Sequence, residues 1–186
     1  MTVRPTEDKT ARSIQEFVTF RDSGNKTVRD LAQVIGLLVS LLPGILYGKL
    51  HYRNLQFYKI DSRGNFNSSV TLSCYSVEDL NWWMSNLPAA YMPISQSEPN
   101  MCISTDASSI GWGAYCATTG PKVGGGWSPS DSSLHINVLE LLAILMGLTS
   151  LCSHLENKHI KIMCDNSTAV SYINAMGGTH SVKCNI

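Results

Sequence analysis

Three carboxylates in the second half of the chain stand where an apolar segment does not accept a lone charge cheaply. Asp106 ends the stretch Cys-Ile-Ser-Thr, Glu140 lies among leucines, and Asp165 follows Ile-Met-Cys. Each has an ordinary alternative: an Asx turn for Asp106, a solvent-facing position for Glu140 and a helix start for Asp165. If the three converge, they repel one another unless a cation lies among them, and such hard oxygen donors suit Mg²⁺ or Mn²⁺.

The elements around these acids predict how they meet. We expect three strands over 101–105, 110–117 and 123–127, then a helix over 136–151 and a strand over 159–164. Asn166 is expected to cap a last helix that runs to about Met176 and ends at Gly177-Gly178. If the first and fourth strands are parallel neighbours, Asp106 and Asp165 point into one crevice, and the crossing helix delivers Glu140. Two divalent ions about 4 Å apart in such a crevice can activate water and stabilise the leaving oxygen in phosphodiester cleavage. The order β-β-β-α-β-α predicts an α/β fold with a mixed sheet.

The first half of the chain has a helical texture. Thr27 and Asp30 have the spacing of a capping box, and apolar residues follow at helical period as far as Leu42. Pro43 is expected to end this helix and to start another that runs to about Lys59. The apolar run over 34–46 is interrupted and shorter than the roughly 18 to 20 residues that span a bilayer, so it predicts a buried helix pair.

A third helix is expected from Val77 to Leu87, capped by Ser76, with Trp82 and Trp83 filling a core. The segment that follows is rich in proline, serine and asparagine, which is typical of a linker. We therefore predict a mainly helical segment at 1–90, a linker at 91–100 and a second domain at 101–186.

Charge and cysteine content limit the functional classes. The formal net charge is zero, and ten of the 14 Lys and Arg residues precede residue 65. Any nucleic-acid contact is therefore local or shared with a partner, and the basic residues of the first half are either that contact or solvated helix faces. The N-terminus is polar, so no signal peptide is expected, and the six cysteines form no C-x-x-C pair. We expect reduced, mostly buried thiols in an intracellular protein of the cytoplasm or nucleus.

Three other motifs offer alternative chemistry. A zinc set of Cys152, His154, His159 and Cys164 matches no standard finger spacing, and Cys164 is expected inside a strand. His135 offers a general base, although a role in fixing the turn over 133–137 suits it better.

The glycine run over 124–126 permits an actin-like or sugar-kinase-like phosphate loop. It lies in a strand-like stretch with no helix opening on it, which disfavours that interpretation.

Six short motifs follow one another in the second half: Thr105-Asp106-Ala107-Ser108, Gly111-Trp112-Gly113-Ala114, Trp127-Ser128, His135-Ile136-Asn137-Val138-Leu139-Glu140-Leu141, Asp165-Asn166-Ser167-Thr168-Ala169-Val170 and Gly177-Gly178-Thr179. They resemble the ribonuclease H region of retroelement reverse transcriptases, most of all that of the DIRS-like, tyrosine-recombinase-encoding retrotransposons. Upstream, 31–36 and 79–83 resemble the thumb and connection segment of those polyproteins, more weakly.

The resemblance implies a ribonuclease H fold and metal-dependent hydrolysis of the RNA strand of an RNA–DNA hybrid. Asp106, Glu140 and Asp165 match the family's first three catalytic acids and would hold Mg²⁺ or Mn²⁺. Such hybrids are recognised by shape and 2′-hydroxyls, so little sequence preference is expected. The polymerase part of a larger polyprotein is an expected partner.

Two departures from the family's pattern shape the expectation. The chain stops at Ile186, whereas the family continues with a fifth strand, a loop bearing a His and a helix carrying a fourth acid. A C-terminally truncated domain with an unpaired sheet edge is therefore expected. No Tyr-x-Asp-Asp-like turn occurs, so polymerisation is not expected. The alternative function is a non-catalytic nucleic-acid-binding remnant, whose binding would depend steeply on salt.

Overall fold

The computed structural model describes residues 1–56, 65–95 and 97–177. The chain divides into two compact units, Met1–Ser95 and Gln96–Ile186. Each unit has its own buried apolar cluster. The finer division into a helical segment, a linker and a second domain stays a prediction.

Three helices of the first unit have both ends within the described residues: α1 (Glu7–Asp22), α2 (Val28–Leu41) and α3 (Cys74–Asn86). Two short strands, β1 (Thr2–Val3) and β2 (Met92–Pro93), pair antiparallel. Large apolar side chains from all three helices are fully buried in the core, among them Phe17, Leu31, Leu38, Leu80 and Trp83.

The start of α2 confirms the predicted capping box. The Thr27 hydroxyl accepts from the Asp30 backbone N–H, and the Asp30 carboxylate accepts from the Thr27 N–H at 2.9 Å. These contacts satisfy backbone donors that the first turn of a helix leaves without partners. The helix ends at Leu41, one residue from the predicted end.

The continuous helix predicted from Pro43 to about Lys59 is wrong over its described part. Short 3-10 turns occupy Leu42–Gly44 and Leu50–Tyr52, and α-helical backbone begins only at 53–56. Tyr47 has a φ of 64°, in the left-handed region, which no right-handed helix can contain. Residues 57–59 lie outside the described residues.

The start predicted for the third helix is also wrong, by three residues. Ser73 is the N-cap, and its hydroxyl accepts from the Ser76 N–H at 3.2 Å, so Ser76 lies in the first turn. Two serines three residues apart offer the same capping chemistry, and the pattern alone favoured the second. The prediction that the tryptophans fill a core is confirmed for Trp83, which is fully buried and donates its indole N–H to the His51 carbonyl at 2.7 Å.

The second unit is an α/β layer structure. Its elements are β3 (Met101–Ala107), β4 (Gly111–Cys116), β5 (Lys122–Gly126), α4 (Ile136–Cys152), β6 (Ile160–Met163) and α5 (Ser167–Asn174). The sheet order is β5-β4-β3-β6, in which β3 is antiparallel to β4 and parallel to β6. This is the predicted ribonuclease-H-like mixed sheet with the order β-β-β-α-β-α.

Two details of this unit confirm smaller predictions. The glycine run lies in β5, where a Cβ on Gly124 would stand 2.8 Å from the Trp112 carbonyl oxygen, so strand packing requires glycine there. Asn166 caps α5, and Gly177 follows that helix with a φ of 85°, a conformation that favours glycine. Gly178 lies outside the described residues.

Helix α4 lies very close to the sheet. A Cβ on Gly147 would stand 2.8 Å from the Ala114 Cβ and 3.3 Å from the Thr105 Cγ2. Its buried face follows the helical period through Glu140, Ala143, Ile144 and Gly147. The same close packing therefore holds the Glu140 carboxylate against the sheet, one helical turn before the aliphatic residues of this buried face.

The described residues contain no helix that is both long and apolar enough to cross a membrane. The apolar run over 34–46 belongs instead to α2 and the turn after it, where most of its large side chains are buried.

Candidate metal centre

A group of three potential ligands converges where α4 crosses the sheet. One ligand atom from each of Glu140, Cys164 and Asp165 lies within 4.8 Å of the other two. Glu140 is only 4% exposed, Cys164 is half-buried and Asp165 is exposed, so the group runs from the interior to the surface. Two of the three predicted acids therefore meet, together with a thiol.

The register of β6 against β3 brings Asp165 to this place. Ser104 pairs with Met163 at the end of the parallel ladder. Two residues further along each chain stand Asp106 and Asp165, beyond the carboxyl end of β6. Asn166 then caps α5, and its side-chain oxygen accepts from the Ala169 N–H at 3.0 Å. The turn from strand to helix thus holds Asp165 beside the buried Glu140.

Asp106 lies at the margin of the group. It is in β3, paired with Gly113, and it is exposed, whereas the preceding Thr105 is buried against α4. Successive side chains of a strand point to opposite faces, which separates Asp106 from the helix-facing row. Its carboxylate is not one of the three ligand groups that converge within 4.8 Å. The parallel pairing that the sequence predicted is confirmed, and the joint ligand role of the three acids stays a prediction.

The electrostatics of Glu140 are those of an uncompensated anion. Burial raises the pKa of this carboxyl, and the negative charges of Asp165 and Asp106 raise it further. The Cys164 thiol at 3.7 Å and the Ala107 backbone N–H donate to the carboxylate and lower its pKa in part. The ion pairs formed within the described residues lie elsewhere in the chain. A buried carboxylate beside a like charge needs a cation, or else a proton.

A hydrogen bond between two asparagine side chains connects the elements that carry Glu140 and Asp165. The Asn166 amide donates to the Asn137 side-chain oxygen at 3.1 Å, which joins the start of α5 to the first turn of α4. Asn137 precedes Glu140 by three residues, and Asn166 adjoins Asp165. Asn137 was missed as a positioning residue, although its spacing from Glu140 on one helix face was the available signal.

The sequence predicts Cys164 inside a strand and disfavours the zinc set that contains it; the strand position is wrong. Cys164 follows Met163, the last residue of β6, and its thiol donates to Glu140. Cys152 instead contacts the Met101 sulfur at 3.7 Å. The burial of the thiol raises the pKa of Cys164. Because β6 ends at Met163, one residue before the predicted end, Cys164 lies beyond the strand and close to Glu140 and Asp165.

His135 has a structural role at the start of α4. His135 is the N-cap of α4, and its Nδ1 accepts from the Asn137 N–H at 3.2 Å, which confirms its predicted role in the turn. The described cysteines are free, as predicted, but only Cys116 and Cys152 are buried and Cys74 is exposed. Cys184 lies outside the described residues.

The chain matches no known protein-family model and no curated protein. Solved structures of foamy viral protease-reverse transcriptase are similar to this chain. The complex with an RNA/DNA hybrid has 13% identity and a TM-score of 0.38, and the match covers 96% of this chain and 24% of that chain. Two complexes with double-stranded DNA have 12% and 14% identity and TM-scores of 0.39 and 0.38; the matches cover 91% and 87% of this chain and 35% and 28% of those chains. This chain spans about a quarter to a third of their length. At these scores the likeness carries no functional argument, and the resemblance to DIRS-like elements stays a prediction from the sequence.

Proposed function

We propose that this chain carries a ribonuclease-H-type metal centre in which Asp106, Glu140 and Asp165 bind Mg²⁺ or Mn²⁺. Its reaction is the hydrolysis of the RNA strand of an RNA–DNA hybrid. The observation that carries the proposal is Glu140, which is 4% exposed, faces the carboxylate of Asp165 and has no cationic partner among the described residues. A divalent cation would balance both charges.

The donor set fits such a cation. Glu140 and Asp165 offer carboxylate oxygens within one group, and the exposed side of Asp165 leaves room for further oxygen ligands, which Mg²⁺ prefers. Asp106 stands on the neighbouring strand with its charge already acting on Glu140. When bound, the ion supplies the positive charge that acidifies water and stabilises the charge developing on the phosphodiester.

The protein's own residues position the ligands. Helix α4 holds Glu140 close against the sheet. The Asn137–Asn166 contact fixes the turn that carries Asp165. Asp106 is the more exposed donor, on the outer row of β3, and we assign it the contact that forms when the cation and the hybrid are bound together.

The hybrid is the proposed partner because this geometry suits phosphodiester chemistry and the motifs resemble ribonuclease H. The neutral net charge leaves little bulk attraction for nucleic acid. We therefore expect contacts to the shape and 2′-hydroxyls of the hybrid, supplemented by the polymerase part of a larger polyprotein.

The test is cleavage of a hybrid labelled on the RNA strand by the purified full chain, with Mg²⁺ or Mn²⁺ and with neither. We expect metal-dependent cleavage that Asp106→Asn and Asp165→Asn each abolish. Glu156→Gln removes an exposed charge of the same unit and is expected to leave the rate unchanged. A well-folded chain with no cleavage beyond that of Asp106→Asn would overturn the proposal.

A second function is favoured by the position of Asp106 outside the converging group. If Asp106 does not complete the centre, the chain binds hybrids without cleaving them. That outcome would appear as hybrid binding with a steep salt dependence and no turnover in either metal.

A further inference from the structure

We propose that Cys164 supplies a sulfur ligand to the Glu140–Asp165 centre, so that the centre binds a thiophilic divalent cation, Zn²⁺ or Cd²⁺, more tightly than Mg²⁺. The inference deepens the proposed function and rests on it in one respect, that Glu140 and Asp165 are cation ligands.

The geometry already matches such an ion. The Cys164 Sγ lies 3.7 Å from the Glu140 Oε2. Zinc binds thiolate sulfur at about 2.3 Å and carboxylate oxygen at about 2.0 to 2.2 Å, so a tetrahedral site has an S···O edge of about 3.6 Å. The two atoms therefore stand at the separation that one tetrahedral ion would require, with little movement of either side chain.

The remaining donor completes a site with an open position. Asp165 offers a carboxylate oxygen in the same group and is exposed on its other side. Three protein ligands with a fourth position left to solvent or substrate are typical of catalytic zinc sites. Sulfur ligands select against Mg²⁺, which prefers oxygen ligands and keeps much of its water shell.

Two observations point to a cation at this group of side chains. The first is Glu140, a carboxylate that is 4% exposed, has a like charge as its neighbour and, among the described residues, has a long thiol contact and one backbone N–H as its donors. The second is the direction of the thiol. The two buried thiols contact neutral groups, Cys152 the Met101 sulfur and Cys116 the Thr119 hydroxyl, whereas the half-buried Cys164 faces a carboxylate.

The functional consequence is competition between two kinds of ion at one centre. A thiophilic cation held by Glu140, Cys164 and Asp165 occupies the carboxylates that Mg²⁺ needs. Zn²⁺ would then inhibit the Mg²⁺-dependent cleavage, and the loss of the thiol would relieve that inhibition.

The test is a Cd²⁺ titration of the full chain, followed by the ultraviolet sulfur-to-cadmium charge-transfer absorption. We expect the wild-type chain to show one more equivalent of this signal than Cys164→Ser. Cys74→Ser removes an exposed thiol of the other unit and serves as the matched control, with the Cys164-dependent signal unchanged. Glu140→Gln keeps the thiol and is expected to weaken Cd²⁺ binding at least tenfold. It also decides the matter if Cys164→Ser does not fold, as judged by circular dichroism.

The inference is overturned if Cys164→Ser and wild type give the same signal, or if Glu140→Gln leaves the Cd²⁺ affinity unchanged, which would mean binding by a lone thiol. Cleavage assays separate this failure from that of the proposed function. Cadmium binding that needs Cys164 and Glu140, without cleavage in any metal, rejects the nuclease and retains the centre. Metal-dependent cleavage that Asp165→Asn abolishes, with Cd²⁺ binding indifferent to Cys164, retains the nuclease and rejects the sulfur ligand.

Discussion

The helical unit and the sheet unit each bury a carboxylate almost completely, and the surroundings of the two are opposite. Asp79 in α3 is 5% exposed and Glu140 in α4 is 4% exposed. The Asn54 amide donates to Asp79 at 2.9 Å, and the His51 Nδ1 lies 3.5 Å from its other oxygen. Glu140 instead meets the charge of Asp165 and a weakly donating thiol. Equal burial thus accompanies a satisfied group in one unit and an uncompensated one in the other.

The pKa shifts of the two groups express the same contrast. Burial is the largest cause that raises the pKa of Asp79 and of Glu140. For Asp79, the Asn54 amide and His51 lower the pKa and oppose burial. For Glu140, the charges of Asp165 and Asp106 act in the same direction as burial. The surroundings of a buried acid, rather than its burial, therefore distinguish a structural group from a site that needs a cation.

The largest effect that would sharpen this contrast is on catalysis. Glu140→Gln is expected to slow metal-dependent hybrid cleavage by about a hundredfold to a thousandfold, because a bound cation contributes several kcal/mol to the transition state. The measurement is the initial rate at saturating Mg²⁺ or Mn²⁺, and Asp79→Asn in the other unit is the control. A Glu140→Gln rate within a few-fold of wild type would remove Glu140 from the centre.

The next effect concerns stability in the helical unit. Asp79→Ala is expected to lower the free energy of unfolding by about 2 kcal/mol, because it leaves the Asn54 amide without its buried acceptor. Urea denaturation measures this change. Glu78→Ala, at the exposed neighbouring position, is expected to change stability by less than about 0.5 kcal/mol. Equal losses in both variants would show that Asp79 is not a structural acceptor.

The opposite sign is expected for the buried acid of the sheet unit. Glu140→Gln should raise the free energy of unfolding by about 1 kcal/mol at neutral pH without metal, a common gain when a destabilised functional group is neutralised. The raised pKa means that the folded chain holds this proton at pH values where the unfolded chain has lost it. Wild-type stability therefore falls as pH rises through that interval.

The gain from Glu140→Gln is accordingly present above the raised pKa and absent below the usual pKa of glutamate. Urea denaturation over a pH series in chelator checks it. Added Mn²⁺ should stabilise wild type and not the variant, since only an intact centre binds the ion. A variant that is less stable than wild type at neutral pH without metal would contradict the contrast between the two acids.

The smallest effect tests how far the centre extends. His135→Ala is expected to cost about 0.5 kcal/mol through the lost helix cap, with hybrid cleavage within a few-fold of wild type. A general base would contribute about a hundredfold to ten-thousandfold. His154→Ala, at an exposed position of the same unit, is the control for both measurements. A loss of cleavage on that scale in His135→Ala alone would place the histidine in the chemistry.

The elements of the sheet unit followed from local pattern. Alternation, apolar period and capping residues predicted all six elements, because each depends on neighbours a few residues away. The two wrong predictions in the helical unit arose where the local pattern allowed more than one structure. The pattern after Pro43 permits a helix, and it gives no sign of the left-handed Tyr47 that interrupts it. Ser73 and Ser76 offer the same cap, and in the structure Ser73 caps the helix while Ser76 is buried in its first turn.

For the candidate centre, the sequence by itself determined which acids are present and on which elements they lie, and the parallel pairing of β3 and β6 stayed a condition until the structure showed it. Only the tertiary structure decided that Cys164 joins Glu140 and Asp165 while Asp106 stands at the margin. That choice depends on the depth of α4 over the sheet at Gly147 and on the end of β6 at Met163. Both are contacts between segments distant in the chain, where a shift of one residue turns a side chain to the other face.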